Sequence, residues 1–327
     1  MEAGLPLRAA EVLNASQVGV FSLSAYLDLG LLRYACFLLV LGVYLLIVFC
    51  NVLLIAVICV TRSLHEPMFL FLCSLFANEL LGSSGLFPFL LLQILADVHR
   101  VSAPLCFLQV FIVHAYGAVE LLNLAVMAFD RYLAICRPLQ YHARMTSRRV
   151  AALLAWTWGL PFLAMVVSLT LIVPLRLCGR HIHKVYCDMH SVVKLACSDT
   201  TAANAYGLVA TFSTILGALL FILYSYARIL AVCCSGSRQT RQKAVSTCSP
   251  HLASVLNFAI AGSFEVSQSR FNMAHAPDVL RVFLSVYFLS AVPLFNPLMY
   301  GLKMRKIRNA CVRILSRRLE RHLHHKE

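Results

Sequence analysis

Acidic side chains are scarce. Fourteen Asp and Glu stand against 28 Lys and Arg in 327 residues, and charged residues of both signs make up only 13%. A soluble domain of this length needs more charge than that on its surface, and the mean hydropathy of +0.79 points the same way. The acids are too few for the carboxylate ring of a conducting cation channel. The polar/apolar alternation of a membrane barrel is missing. So are the internal repeats and paired broken helices typical of transporters. No nucleophile stands with a base and no catalytic metal set is present, so an enzyme is not expected. The first 33 residues have no basic stretch followed by a cleavage site, so no cleaved signal peptide is expected. No basic segment is interleaved with aromatics, which argues against a nucleic-acid partner.

What the chain has instead is long apolar runs. Seven reach the length of about 20 residues that a helix needs to span a bilayer. They lie near 34–60, 67–95, 103–136, 150–173, 203–233, 243–268 and 279–302. The expected fold is an all-α membrane protein, a bundle of seven transmembrane helices. Residues 304–319 alternate basic and apolar side chains, as in a short amphipathic eighth helix lying on the membrane surface. The chain then divides into an N-terminal segment (1–33), a membrane domain (34–302) and a tail (303–327). With the N-terminus outside, the inner segments hold 19 of the 28 Lys and Arg and the outer segments nine. That bias sets a multi-pass topology with the C-terminus in the cytoplasm. The basic inner face suits anionic membrane lipid and an acidic cytosolic partner.

The third run ends in Asp130-Arg131-Tyr132. Two adjacent charges at a bilayer boundary must pair with each other or with a transient partner. Either Arg131 snorkels to lipid headgroups, or Asp130 holds it as a latch until a cytoplasmic partner docks. Deeper in the membrane lie Glu79, Glu120, Asn51, Asn123 and Asn296. Two carboxylates at such depth imply a shared proton or a bound cation, or protonated acids that bond between helices. Asn296-Pro297 sits within the seventh run, where proline frees a backbone carbonyl and permits a kink. Trp156 and Trp158, the only tryptophans, are expected to be packing residues.

On the sixth run Ala259, Gly262, Ser263, Val266 and Arg270 fall at helical spacing. Val110, Val113, His114, Gly117, Ala118 and Leu121 stand at comparable depth on the third. Two small-residue faces would leave a cavity for a small ligand. Arg270 would suit a carboxylate there or sit among the headgroups. His251, beside Pro250, marks a bending point at the inner end of the sixth run. Most of the 13 cysteines are single residues in apolar runs, and Cys311 in the tail is a candidate for palmitoylation. Four lie outside, Cys106, Cys178, Cys187 and Cys197, enough for two disulfides with three possible connectivities. His181, His183 and His190 interleave with them at a spacing that fits no zinc pattern, so no metal is expected. Asn14-Ala15-Ser16 is the single N-x-S/T acceptor, and topology places it outside for glycosylation.

Seven spans, Cys106, Asp130-Arg131-Tyr132 and Asn296-Pro297-x-x-Tyr300 together resemble rhodopsin-like G-protein-coupled receptors. Finer matches resemble vertebrate odorant receptors across nearly the whole chain. They are Pro67-Met-Phe, Met127-Ala-Phe-Asp-Arg-Tyr-Leu-Ala-Ile-Cys136, Lys243-Ala-x-Ser-Thr-Cys-x-x-His251 and Pro293-Leu-Phe-Asn-Pro-Leu-Met-Tyr300, with Tyr186-Cys-Asp188 and Leu195-Ala-Cys-Ser-Asp199 in the long loop. Leu64-His-Glu-Pro-Met68 and Ala77-Asn-Glu-Leu80 resemble the class I branch, which tends towards water-soluble odorants, often acids, and uses the positions of His114 and Arg270. Phe129, Glu79 and Pro250 depart from the commoner Tyr, Asp and Ser. The resemblance implies disulfides Cys106–Cys187 and Cys178–Cys197, and Asp130, Arg131, Tyr132, His251, Asn296, Pro297 and Tyr300 as the activation and coupling set. It further implies a small odorant ligand, a stimulatory olfactory-type heterotrimeric G protein and a plasma-membrane location. A receptor for an endogenous metabolite outside the nose is the alternative. A transporter or channel, favoured only by Glu79 and Glu120, stands behind it.

Overall fold

The computed structural model describes residues 13–14, 19–26, 30–236, 238–270 and 278–324. The side chains of 13–14, 240, 243–244, 268–270, 278–282, 284–285, 315 and 317–324 lie outside that description. Eight long helices follow one another: α1 (Leu32–Val60), α2 (Pro67–Leu95), α3 (Ala103–Cys136), α4 (Ser147–Ile172), α5 (Thr201–Ser235), α6 (Arg238–Arg270), α7 (Asp278–Lys303) and α8 (Arg305–His324). The first five are long and apolar enough to cross a membrane. α6 begins with a polar stretch, Arg238-Gln-Thr-Arg-Gln242, so its apolar part starts later. Leu38, Leu39, Leu45 and Phe49 of α1, and Leu216, Leu220 and Leu223 of α5, are exposed on the outside of the bundle, as side chains bathed in lipid would be.

α3 is the central helix. It packs against α2, α4, α5 and α6, and Glu120, Asn123 and Asp130 are all buried. α2 approaches it closely through two glycines. A Cβ added at Gly82 would lie 2.6 Å from the Tyr116 ring, and one at Gly85 would lie 2.7 Å from Ile112. α6 packs chiefly on α7, and α1 closes the bundle against α2 and α7. α8 buries Ile307 and Ala310, and Lys306 reaches Glu66 before α2 at 2.5 Å. Trp158 donates to Ser74 of α2 at 2.8 Å, but Trp156 is 69% exposed. The packing role expected of both tryptophans therefore holds only for the one with a hydrogen-bond partner.

The end of the bundle that carries the disulfides is covered by strands that no apolar run announces. β1 (Leu13–Asn14) pairs antiparallel with β4 (Arg176–Leu177). β2 (Val20–Leu23) lies between antiparallel β3 (Arg100–Ser102) and parallel β5 (His181–Ile182). Phe21 and Leu23 alternate inward and are buried with Val101 and Ile182. Cys106–Cys187 and Cys178–Cys197 are both bonded, with Cα separations of 5.3 and 5.7 Å. The first joins the long loop to the start of α3, and the second closes the loop on itself.

Candidate functional site

Three polar assemblies lie along α3. The first is at the end remote from the disulfides. Asp130 is fully buried and pairs with the Arg131 guanidinium, whose Nε donates to Oδ2 at 3.1 Å. Tyr141, in the single helical turn Tyr141–Arg144, donates to the other carboxylate oxygen at 2.7 Å. Asp130 thus has a partner on each oxygen. Nearly two turns further in along α3, His251 of α6 bridges three helices. Its Nε2 lies 2.9 Å from the Leu124 carbonyl of α3, and its Nδ1 lies 2.7 Å from the Tyr226 hydroxyl of α5. A carbonyl only accepts, so Nε2 carries the proton and a neutral ring takes the Tyr226 proton on Nδ1. Tyr132 packs on Phe129 and on Tyr224 of α5. Tyr300 is buried edge-on to Phe76.

The second assembly is at mid-bundle. Asn296 of α7 donates to Glu79 Oε1 at 2.6 Å and to Glu120 Oε1 at 2.8 Å. One side-chain amide therefore serves two carboxylates from two other helices. Asn78 donates to Glu120 Oε2 at 2.9 Å and to the Tyr116 carbonyl at 3.0 Å. Pro297 has no N–H, so the helix leaves the carbonyl four residues earlier without a donor. That carbonyl belongs to Pro293, and Asn51 of α1 supplies the missing hydrogen bond at 3.0 Å. Glu79 Oε2 and the amide oxygens of Asn51, Asn78 and Asn296 are buried without a donor among the described residues. Asn123 is buried too, but it makes none of these bonds.

The third assembly is at the disulfide end, and here the expected ligand residues divide. Val113 is buried with Tyr116, Ala261, Phe288, Val185 and Tyr186. Val110 packs instead with the loop and β2, and Leu121 with the Arg131 end. His114, Gly117 and Ala118 are half-buried. His114 donates from Nδ1 to the Val110 carbonyl at 2.9 Å, and a Cβ on Gly117 would touch Phe288 at 3.4 Å.

The α6 face differs from the sequence expectation. His251, Ser254 and Ala261 are fully buried and Phe258 and Glu265 partly so, whereas Ala259, Ser263 and Val266 are exposed and Gly262 is half-buried. The inward face is thus turned by about a third of a turn. Two contacts fix that rotation: Phe258 packs on Phe288 of α7, and Glu265 pairs with Lys184 of the loop at 2.8 Å. Ser263 satisfies its hydroxyl on its own helix through the Ala259 carbonyl. Arg270 closes α6, and its side chain lies outside the described residues.

Lys184, 5% exposed, also pairs with Asp188. Burial opposes charge on Asp188, but the Lys184 ammonium and the Ser191 amide outweigh it and hold the carboxyl well below the usual range. Burial likewise opposes charge on Lys184. Asp188 and Glu265 outweigh it and raise its value. Asn78, Tyr141, Tyr226, Lys184, Glu265 and Phe288 are site residues that the sequence did not single out. Only Asn78, beside Glu79, and Tyr141, in the short loop after Arg131, carried a positional hint.

The family model described as "Olfactory receptor" matches residues 40–318. Mouse olfactory receptor 4B13 is 35% identical over 277 residues, 84% of this chain and 89% of its own length. Human olfactory receptor 11A1 is 35% identical over 297 residues, covering 90% and 93%. Human olfactory receptor 6N1 is 35% identical over 306 residues, covering 93% and 97%. The crystal structure of squid rhodopsin superposes with a TM-score of 0.70 at 17% identity, over 86% of this chain and 80% of that one, a likeness of fold.

Proposed function

The chain belongs to the olfactory receptor family, a family of multi-pass membrane receptors and not of enzymes, and on that premise we propose that it is an odorant receptor coupled to a stimulatory heterotrimeric G protein. A small water-soluble odorant, a carboxylate in the first instance, binds among α3, α5, α6 and α7 near Val113, His114 and Gly117. Arg270 is the cation proposed to meet it. The ligand acts by binding the active arrangement better than the resting one, since only differential affinity shifts the balance. α6 then swings outward, Arg131 leaves Asp130, and the G protein docks and raises cAMP. The disulfide end and Asn14, carrying its glycan, face outward across the plasma membrane. α8 and the Arg131 end face the cytoplasm and its anionic lipid.

The observation that carries this reading is the paired closure at the Arg131 end. Asp130 and Tyr141 hold the arginine region, and His251 ties α6 to α3 and α5. The two His251 bonds are ones that an outward swing of α6 would break. The mid-bundle oxygens of Glu79, Glu120, Asn51, Asn78 and Asn296 suit a hard cation, which would neutralise two carboxylates and stabilise the resting state.

The test is a cAMP assay in cells that express the chain with an olfactory-type G protein. Short carboxylic acids, amino acids and neutral alcohols are the ligand panel. Arg131→Ala is expected to abolish the response at unchanged surface level, and retained signalling would overturn the latch. A carboxylate response lost in Arg270→Ala would put that residue in the pocket. A response only to neutral compounds, unchanged by the substitution, would assign it to the headgroups.

A further inference from the structure

We propose that Lys184 straps the long loop to α6, and that the Lys184–Glu265 bond restrains ligand-independent activity. The proposal rests on the receptor reading above and adds a control point at the opposite end of the bundle.

The loop is anchored before it reaches α6. Cys187 is disulfide-bonded to Cys106 at the start of α3, and its N–H donates to Gln109 Oε1, also of α3, at 3.0 Å. Tyr26 of the N-terminal segment donates to the Val185 carbonyl at 2.7 Å. Lys184 stands three residues before that anchor, held by Asp188 of its own loop and reaching Glu265 of α6 at 2.8 Å. Its ammonium also lies over the Tyr186 ring, 5.5 Å from the centroid. The link from α3 to α6 is therefore covalent as far as Cys187 and ionic from Lys184 onwards.

Both partners are largely shielded from water, Lys184 at 5% and Glu265 at 14% exposure. Salt screens such a pair little, and losing Glu265 leaves Lys184 only Asp188 as its counter-ion of the two. His251 ties the same helix to α3 at the other end. The two ties are 14 residues apart, about 21 Å along the axis and within about 40° of one face. α6 is thus fastened to α3 at two points on one side. A helix held in this way cannot tilt freely about either point while the other remains closed.

The experiment uses the full chain in nanodiscs with co-reconstituted stimulatory G protein and no ligand. The variants are Glu265→Gln, Lys184→Met and the double substitution, all at matched receptor level. Basal nucleotide exchange is expected to rise about fivefold in each single variant. The double variant should rise no further than the larger single, because Lys184→Met already removes the bond to Glu265 that Glu265→Gln removes. Hydrogen exchange should show faster amides in 258–266. Basal activity equal to wild type, or additive effects of the two substitutions, would overturn the proposal. A wild type that activates no G protein under any ligand would instead defeat the receptor reading. The strap would then be judged by hydrogen exchange alone, and unchanged protection in Glu265→Gln would refute it.

Discussion

Tyr226 and His251 meet at 2.7 Å, and a third group fixes the direction of their hydrogen bond. Because the Leu124 carbonyl takes the Nε2 proton, Nδ1 of the neutral ring must accept from the Tyr226 hydroxyl. The three helices are joined by one imidazole, with the aromatic ring of Tyr226 stacked against it. Tyr226→Phe removes the hydroxyl and keeps the ring. A hydrogen bond of this kind is worth about 1 kcal/mol net, or about fivefold in a two-state balance. Basal nucleotide exchange on the G protein should rise by that order, at unchanged receptor level. No rise would mean that the bond forms equally well in both states.

How much of this was legible in the sequence depends on the range of the interaction. The helices follow from runs of apolar residues, and α2 and α3 begin and end at the expected positions. The carbonyl freed by Pro297 was also legible, since proline's missing N–H is a local fact. Its donor was not, because Asn51 is 242 residues away from Pro293. The same holds for β2, a four-residue strand whose partners lie about 80 and 160 residues further on. On α6 the pattern misled in a specific way. Small residues were read as facing inward, but a ring contact and an ion pair set the rotation, and both partners belong to other segments.

Gly82 and Gly85 set how closely α2 and α3 approach. A methyl group at Gly82 would stand 2.6 Å from the Tyr116 ring, which itself packs edge-on against Phe288. Both helices would have to shift. Overpacking of this sort costs about 1–3 kcal/mol. Gly82→Ala should therefore lower the thermal midpoint in nanodiscs and weaken ligand response, because Tyr116 and Phe288 adjoin Val113. Gly217→Ala on α5 is the control, since nothing lies within 4 Å of the added carbon. Equal behaviour of the two variants would mean that the α2–α3 contact is softer than its distances imply.

Asn296 holds Glu79 and Glu120 with one amide, so its removal leaves two buried carboxylate oxygens without their donor. Hydrogen bonds to charged groups are worth about 1.5–3 kcal/mol each. Asn296→Ala should be among the most destabilising single changes in the bundle, read as a drop in thermal midpoint. If a cation shares the site, wild-type stability should fall when sodium chloride is replaced by choline chloride, and Glu120→Gln should abolish that difference. Equal stability in the two salts would leave the carboxylates to be balanced by protons.

The Asp188–Lys184 pair predicts an unusual tolerance of acid at the disulfide end. Asp188 has a folded value depressed below its ordinary one of about 3.9. Its contribution is therefore complete above about pH 4 and is lost only as pH falls through the lower, folded value. Lys184 has a raised value, so its contribution is complete below its ordinary value of about 10.4 and is lost only as pH rises through the higher, folded one. Between those limits neither group titrates. Amide protection in 181–193, corrected for intrinsic exchange, should stay flat from about pH 5 to about pH 9. Asp188→Asn should lower protection throughout that range, because Ser191 loses its charged acceptor and Lys184 one of its two anions. A loss of protection centred near pH 6 would contradict this. It would move control of the loop away from the Asp188–Lys184 pair.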